Sequence, residues 1–463
     1  MSESPIRRVL IANRGEIAVR IIRACRDLGL EPVAVHSDAD AEALHVRLAD
    51  QAVAIGPPPA RQSYLRPDVI VEAAVSACAD AVHPGYGFLA EVPALPRACV
   101  EAGLRFVGPP ADVMEAVGDK VTAREAAERA GVPVVPGTGR VKDAAVAETA
   151  AEEIGYPILL KASAGGGGRG IRMVTTPEEL RKAFAQASAE AEAAFGDGGM
   201  FIEKCIEQPR HVEVQVMADE HGSVVHLFER ECSIQRRKQK LIEEAPSPSI
   251  SPAVRDRLCA SAVAVAIEVG YINAGTVEFL VDVDRDAYYF IEVNSRIQVE
   301  HGVTEMVTGI DLVAEQLRVA GGLPLSFRQE AIRCEGTALE FRINAEDPAK
   351  NFLPSPGQIE HMLLPGGPGV RVDSGVMAGC VVQPFYDSMV AKLLVHGRDR
   401  AQTLARARRA LHELEIEGIS TTQALHRSLL DWPGLAEATA HTQALEAFLE
   451  ESRTAAAVTT GTA

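Results

Sequence analysis

The chain has 463 residues, about three ordinary domain lengths, which excludes a single small module. Its 64 acidic residues against 46 basic ones give a net charge of -18, which argues against a general nucleic-acid binder, because phosphate affinity needs clustered positive charge. With 47% hydrophobic and 24% charged residues, no apolar run near the roughly 20 residues of a membrane helix and no signal-like block in MSESPIRRVLIANRGE, a cytoplasmic globular protein is expected.

Strand and helix signals alternate from the start. RRVLIA, EPVAVHS, QAVAIG, ADAVHP and LRFVGP read as short strands separated by helical patterns such as IAVRIIRACRDL, which predicts a doubly wound parallel α/β unit over 1–115. ADVMEAVGDKVTAREAAERAG then predicts helix, ending in the breaker-rich VPVVPGTG. A smaller α/β segment, about 133–204, carries the strand YPILLKAS, four glycines, the strand IRMVTT, a long helix from near Pro177, and FIEKCI. HVEVQVMAD and SVVHLFERECS alternate with period two, as antiparallel strands do, and a helix (AVRDRLCASAVAVAIEVG) with the strands AGTVEFLVDV and AYYFIEVN completes a central unit over 116–332. The last unit, 333–450, mixes strands with a C-terminal helix, and 451–463 is expected to be a disordered tail. The overall class is thus mixed α/β and α+β, in several domains. The eight cysteines are scattered without a C-x-x-C pair, so reduced and mostly buried thiols are expected.

Four patterns carry chemistry. The first is Lys161 to Gly170, KASAGGGGRG, where glycines remove every Cβ so that backbone N–H groups can approach a phosphate. The segment satisfies G-x-G-x-x-G but leads into the strand-like IRMV, which favours a hairpin lid over a Rossmann turn; a glycine linker is the alternative. The second is Glu278 and Glu292 on neighbouring strands, with Asn294 two residues on: oxygen ligands suited to magnesium, or solvated strand-face carboxylates. In the third, NSRIQVEHGVTE, alternation would place Asn294, Arg296, Gln298 and Glu300 on one side, either a clamp for a small planar anion beside a general base or a charged edge strand. The fourth, ERECSIQRRKQK, concentrates Arg236, Arg237, Lys238 and Lys240, which implies an anionic substrate or internal salt bridges.

Taken together, IANRGEIAVRIIRA, HPGYGFLAE, GDKVTAR, KASAGGGGRGIR, PRHVEVQV, ECSIQRRKQKLIEEAPSP, GTVEFL, IEVNSRIQVEHGVTEM, FRINAEDP and PFYDSMVAKL closely resemble biotin carboxylase, an ATP-grasp ligase, from about Arg7 to near Glu450. The resemblance implies ATP-dependent carboxylation of biotin by bicarbonate, within an acyl-CoA carboxylase-type complex. It places ATP against Lys120, Lys161, the glycines Gly166, Gly167 and Gly168, Glu203, Lys204, Ile206, His211, Gln235, Glu278 and Leu280. It assigns magnesium, or manganese in its place, to Glu278, Glu292 and Asn294, in agreement with the strand spacing. Bicarbonate would meet Lys240, Arg296, Gln298 and the Val299 backbone, with Glu300 as general base; Arg342 would stabilise the biotin enolate, and Tyr86 would wall the biotin pocket.

The chain departs from the family pattern at Val92-Pro93, Lys238, Ser295 and Gly302, the last expected to loosen the backbone beside Glu300. No Ala-Met-Lys-Met-like biotinylation motif is present, so a separate biotin carboxyl carrier protein and carboxyltransferase subunits are the implied partners. A homodimer is implied too, with Arg20 in a segment that resembles its contact surface. The competing expectations are another ATP-grasp ligase joining a carboxylate to an amine, which has no need of Arg296, Gln298, Glu300 and Arg342, and a catalytically silent regulatory subunit.

Overall fold

The structure, a computed structural model, describes residues 6–141, 143–162, 171–195 and 198–460. Strands β1 (Arg8–Ile11), β2 (Glu31–His36), β3 (Gln51–Ala54), β4 (Ala81–His83) and β5 (Arg105–Phe106) form one parallel sheet in the order β3-β2-β1-β4-β5. The central strands β1, β2 and β4 are apolar because they are covered on both faces, whereas the edge strand β3 is largely exposed. Helix Gly15–Asp27 turns Ile17, Ile21, Ile22 and Cys25 onto Val9 and Ile11. The strand order reverses beside β1, and there Asn13 donates to the carbonyls of Pro84 and Tyr86, 2.7 Å each, shaping the turn that presents Tyr86. Gly85 has φ +62° within that turn, and a Cβ there would sit 3.0 Å from Asn13 and Ile17, so only glycine fits.

A second, small sheet contains β6 (Ile158–Ala162), β7 (Ile171–Val174) and β8 (Met200–Lys204) in the order β7-β6-β8. Helices Ala144–Ile154 and Pro177–Phe195 cover it through Ala147, Ala151, Leu180 and Phe184. β6 and β7 are antiparallel, with Lys161 opposite Ile171, so the glycine run connects two strands and does not open a helix. The run itself, 163–170 with Gly166, Gly167 and Gly168, lies outside the described residues.

The third sheet has eight strands. β9 (Arg210–Ala218), β10 (Val224–Arg236), β11 (Gln239–Ala245), β12 (Asn273–Asp282), β13 (Ala287–Asn294) and β14 (Thr337–Asn344) join the strands Val370–Ser374 and Met389–Gly397. The order is β13-β12-β9-β10-β11-β14, then Met389–Gly397, then Val370–Ser374, so hydrogen bonding runs on across 332/333. Period-two alternation puts Val212, Val214, Val216, Val277 and Phe279 under helix Pro252–Glu268, and Leu339, Phe341, Leu393 and Val395 under helix Arg400–Glu413. Each such buried side chain contributes about 1.5–3 kcal/mol relative to exposure. The opposite face therefore carries Glu213, Gln215, Thr276, Glu278, Glu340, Arg342 and Lys392, and helix His301–Thr308 packs on its part formed by β10, β11, β14 and Met389–Gly397.

Two expectations change. Residues 295–300 are not a strand: β13 ends at Asn294, and Glu300 is the N-cap of the helix His301–Thr308. The stretch from 451 continues the helix Ala444–Thr460, whose first turns dock Leu445, Phe448 and Leu449; its alanine-rich sequence favours helix more than its lack of apolar bulk favours disorder. All eight cysteines are free, but only Cys25, Cys99, Cys232 and Cys259 are buried, and Cys78 is exposed.

Candidate active site

β12 and β13 pair so that Glu278 stands directly opposite Glu292. Glu278 is buried and accepts hydrogen bonds from Asn294 Nδ2 and Gln298 Nε2, each at 2.9 Å, with His211 Nε2 also 2.9 Å away. Burial alone would raise its pKa, but Lys240 and His211 hold the carboxyl well below the usual range. Glu292 shifts the other way, raised by burial and then by the Glu278 charge. Two facing carboxylates with opposed titrations and a neighbouring amide oxygen form a donor set that a hard divalent cation would relieve, so these residues fit magnesium.

The centre of the site is Lys240, in the strand after a tight hairpin whose turn residues Arg237 and Lys238 both have positive φ. Its ammonium lies 2.5 Å from Glu300 Oε1, 2.5 Å from Glu213 Oε2 and 3.2 Å from Glu278 Oε1. Burial would strip its proton; the Glu213, Glu278 and Glu300 carboxylates outweigh that and keep it charged. Glu300 accepts from Arg342 Nη2 at 2.9 Å on its other oxygen. Burial would raise this carboxyl too, but Lys240, Arg342 and Arg230 hold it well below the ordinary range, so it is ionised. Of the basic run only Lys240 reaches this centre: Arg236 stacks over Phe352 at 4.0 Å, and Arg237 and Lys238 are exposed.

The third pattern converges although it is not a strand. Arg296 donates to Asn294 Oδ1 at 3.2 Å and pairs with Glu91 at 3.1 Å, while the buried Gln298 amide accepts from Arg230 Nη2 at 2.8 Å. A loop and a helix N-terminus bring these groups to Glu300. Arg342 reaches the same carboxylate from β14 and also holds Glu243 at 2.6 Å. Tyr86 donates its hydroxyl to Glu16.

The expected nucleotide contacts are more dispersed. Lys161 and Glu203 pair on the small sheet, while the Lys204 ammonium is spent on the carbonyls of Gly155 and Tyr156 at 2.9 and 3.0 Å. Ile206 is buried just beyond. Lys120 is largely exposed, its Nζ 3.9 Å from Glu292. Leu280 pairs with His211, and Gln235 with Lys240, across the large sheet.

Several groups of this centre were not predicted. Arg230 is fully buried and donates to Glu213 at 2.7 Å, to Gln215 at 2.8 Å and to Gln298. Cys232 lies with Glu213 and Glu300 in one cluster of ligand atoms within 4.8 Å, and burial, then Glu213, holds its thiol protonated. The cations of the site are therefore matched by carboxylates.

The small antiparallel sheet, together with the paired carboxylates and the Glu300 centre of the large sheet, is the arrangement of an ATP-dependent ligase of the ATP-grasp type. Comparison with known proteins is specific. The "Biotin carboxylase, N-terminal domain" family matches residues 5–114, "Carbamoyl-phosphate synthase L chain, ATP binding domain" matches 119–328, and "Biotin carboxylase C-terminal domain" matches 340–447. Biotin carboxylase 1 of Bacillus subtilis (strain 168) is 52% identical over 444 residues, covering 96% of this chain and 99% of that one. The biotin carboxylase of Haemophilus influenzae is 52% identical over 428 residues, 92% and 95% of the two chains. Among solved structures, the dimeric biotin carboxylase domain of 2-oxoglutarate carboxylase from Hydrogenobacter thermophilus, in complex with MgADP, ADP and bicarbonate, superposes with a TM-score of 0.87 at 47% identity over 96% of this chain and 98% of that one. The chain belongs to the biotin carboxylase family.

Proposed function

We propose that this chain carboxylates biotin held on a separate biotin carboxyl carrier protein, using ATP and bicarbonate, and that carboxyltransferase subunits of an acyl-CoA carboxylase-type complex take the product onward. The observation that carries this reading is Glu300 fixed between Lys240 and Arg342 beside the Glu278 and Glu292 pair.

ATP binds between the small sheet and the large one, against Lys120, Lys161, Glu203, Lys204, Ile206, His211, Gln235 and Leu280. Magnesium on Glu278, Glu292 and Asn294 supplies charge neutralisation at the phosphates. Bicarbonate sits against Lys240, Arg296, Gln298 and the Val299 backbone. When the anion engages Lys240, that cation no longer compensates Glu300 as fully, so the carboxylate gains basicity at the moment it must accept the bicarbonate proton. The freed oxygen attacks the γ-phosphorus, the bond to ADP breaks, and carboxyphosphate results. Its breakdown yields carbon dioxide and phosphate; the phosphate takes the biotin N–H proton, and Arg342 stabilises the enolate. Tyr86 walls the biotin side.

Functionally we divide the chain into 1–115, 116–332 with a lid over about 133–204, and 333–450. A groove lined by Arg20, Arg23, Asp27, Asp311, Arg371 and Asp373 supports a homodimer surface on helix Gly15–Asp27. Substituting Glu300→Gln should lower kcat about a hundredfold or more while calorimetry shows MgATP still bound; unchanged turnover would remove Glu300 as the base.

A further inference from the structure

Lys392, on the strand Met389–Gly397, is fully buried and has no part in the mechanism above. A buried ammonium is costly unless it is matched by charge and hydrogen bonds. Its Nζ donates to the carbonyl of Val299 at 2.7 Å, lies 3.3 Å from Glu16 Oε1 and reaches Asp373 Oδ2 at 4.0 Å. The same Glu16 oxygen accepts the hydroxyl of Tyr86. On the large sheet Lys392 is the register partner of Arg342. One side chain thus ties together the helix after β1, the turn after β4, the peptide that precedes Glu300 and the C-terminal strands.

The position of the Val299 carbonyl matters because its peptide ends in the nitrogen of Glu300, the N-cap of helix His301–Thr308 with φ -81° and ψ 11°. A donor fixed on that carbonyl fixes the rotation of the peptide, and with it the direction in which the Glu300 side chain leaves the backbone. We infer that Lys392 is a positioning residue for bicarbonate activation: it sets the Val299–Glu300 peptide so that Glu300 meets Lys240 and Arg342, and through Glu16 it braces the Tyr86 wall to the same point. The inference rests on the assignments of Glu300 and Tyr86 made above. Misplacing a catalytic group by a fraction of its contact distance costs tens of fold in rate without any loss of its chemistry.

The test is steady-state kinetics of the full chain with free biotin, varying bicarbonate, for Lys392→Met and Lys392→Arg, with MgATP affinity measured by calorimetry. Lys392→Met should lower kcat/KM for bicarbonate roughly ten- to hundredfold, leave MgATP affinity within about twofold, and be partly rescued in Lys392→Arg, which keeps a buried donor. Where circular dichroism shows Lys392→Met unfolded, the pair Lys392→Met with Glu16→Gln, which removes both buried charges, carries the same expectation. A folded variant with bicarbonate kinetics within about twofold of the parent overturns the inference, as does an equal loss of MgATP affinity or a failure of both variants to fold, since each reduces Lys392 to a structural ion pair. A parent enzyme indifferent to bicarbonate would instead remove the underlying assignment of Glu300.

Discussion

At Lys240 three carboxylates share one ammonium, and at Arg342 two share one guanidinium, so the reaction centre holds its own counter-charges before any substrate anion arrives. Arg342 is supported from behind by His426, whose Nε2 lies 2.7 Å from the Arg342 carbonyl and whose pKa burial pushes down to about 4. A depressed histidine gives stability that is present above the unfolded value near 6.5 and is lost as pH falls toward the folded one. The stability gap between the parent and His426→Gln should therefore narrow by about 2 kcal/mol from pH 7.5 to pH 5, measured by urea unfolding; a constant gap would show that His426 titrates normally. Glu278 and Glu292 were legible in the sequence because charge within otherwise apolar strands needs a reason. Glu213 and Arg230 were not, because the alternation of HVEVQV and SVVHLFERECS is the same for a wet face and for a polar face roofed by a helix.

The helix His301–Thr308 is the element that assembles the site, since it roofs the polar face and begins at Glu300. Its Gly302 was expected to loosen the backbone. A Cβ at this position would stand 2.3 Å from Leu394 Cδ2 and 3.1 Å from Glu340 Oε2, both fully buried, so close packing holds the glycine in place. Gly302→Ala should destabilise the protein by about 1–3 kcal/mol, and the cost should fall when combined with Leu394→Val; additive effects in that double-mutant cycle would contradict the contact. The residues that the expected alternation over 295–300 grouped do lie together, but a loop and an N-cap bring them there where a strand face was predicted, and side-chain chemistry alone does not distinguish the two.

At the scale of the molecule, the parallel N-terminal sheet and the antiparallel hairpins were legible because their periodicities differ, and the small hairpin sheet because glycines led into a β-branched run. What the sequence did not carry was that one eight-stranded sheet crosses from the ATP-binding region into the C-terminal region, placing Arg342 and Lys392 on the same face as Glu213 and Glu278. Strand neighbours far apart in sequence are set by long-range packing, which local patterns do not encode. The net charge of -18 does not describe the site, where cations and carboxylates alternate. The most direct measurement of the central claim is ATP hydrolysis by the purified chain with magnesium, in the presence and absence of bicarbonate and of free biotin. Turnover that requires bicarbonate and rises with biotin is the result predicted here; turnover indifferent to both would contradict it.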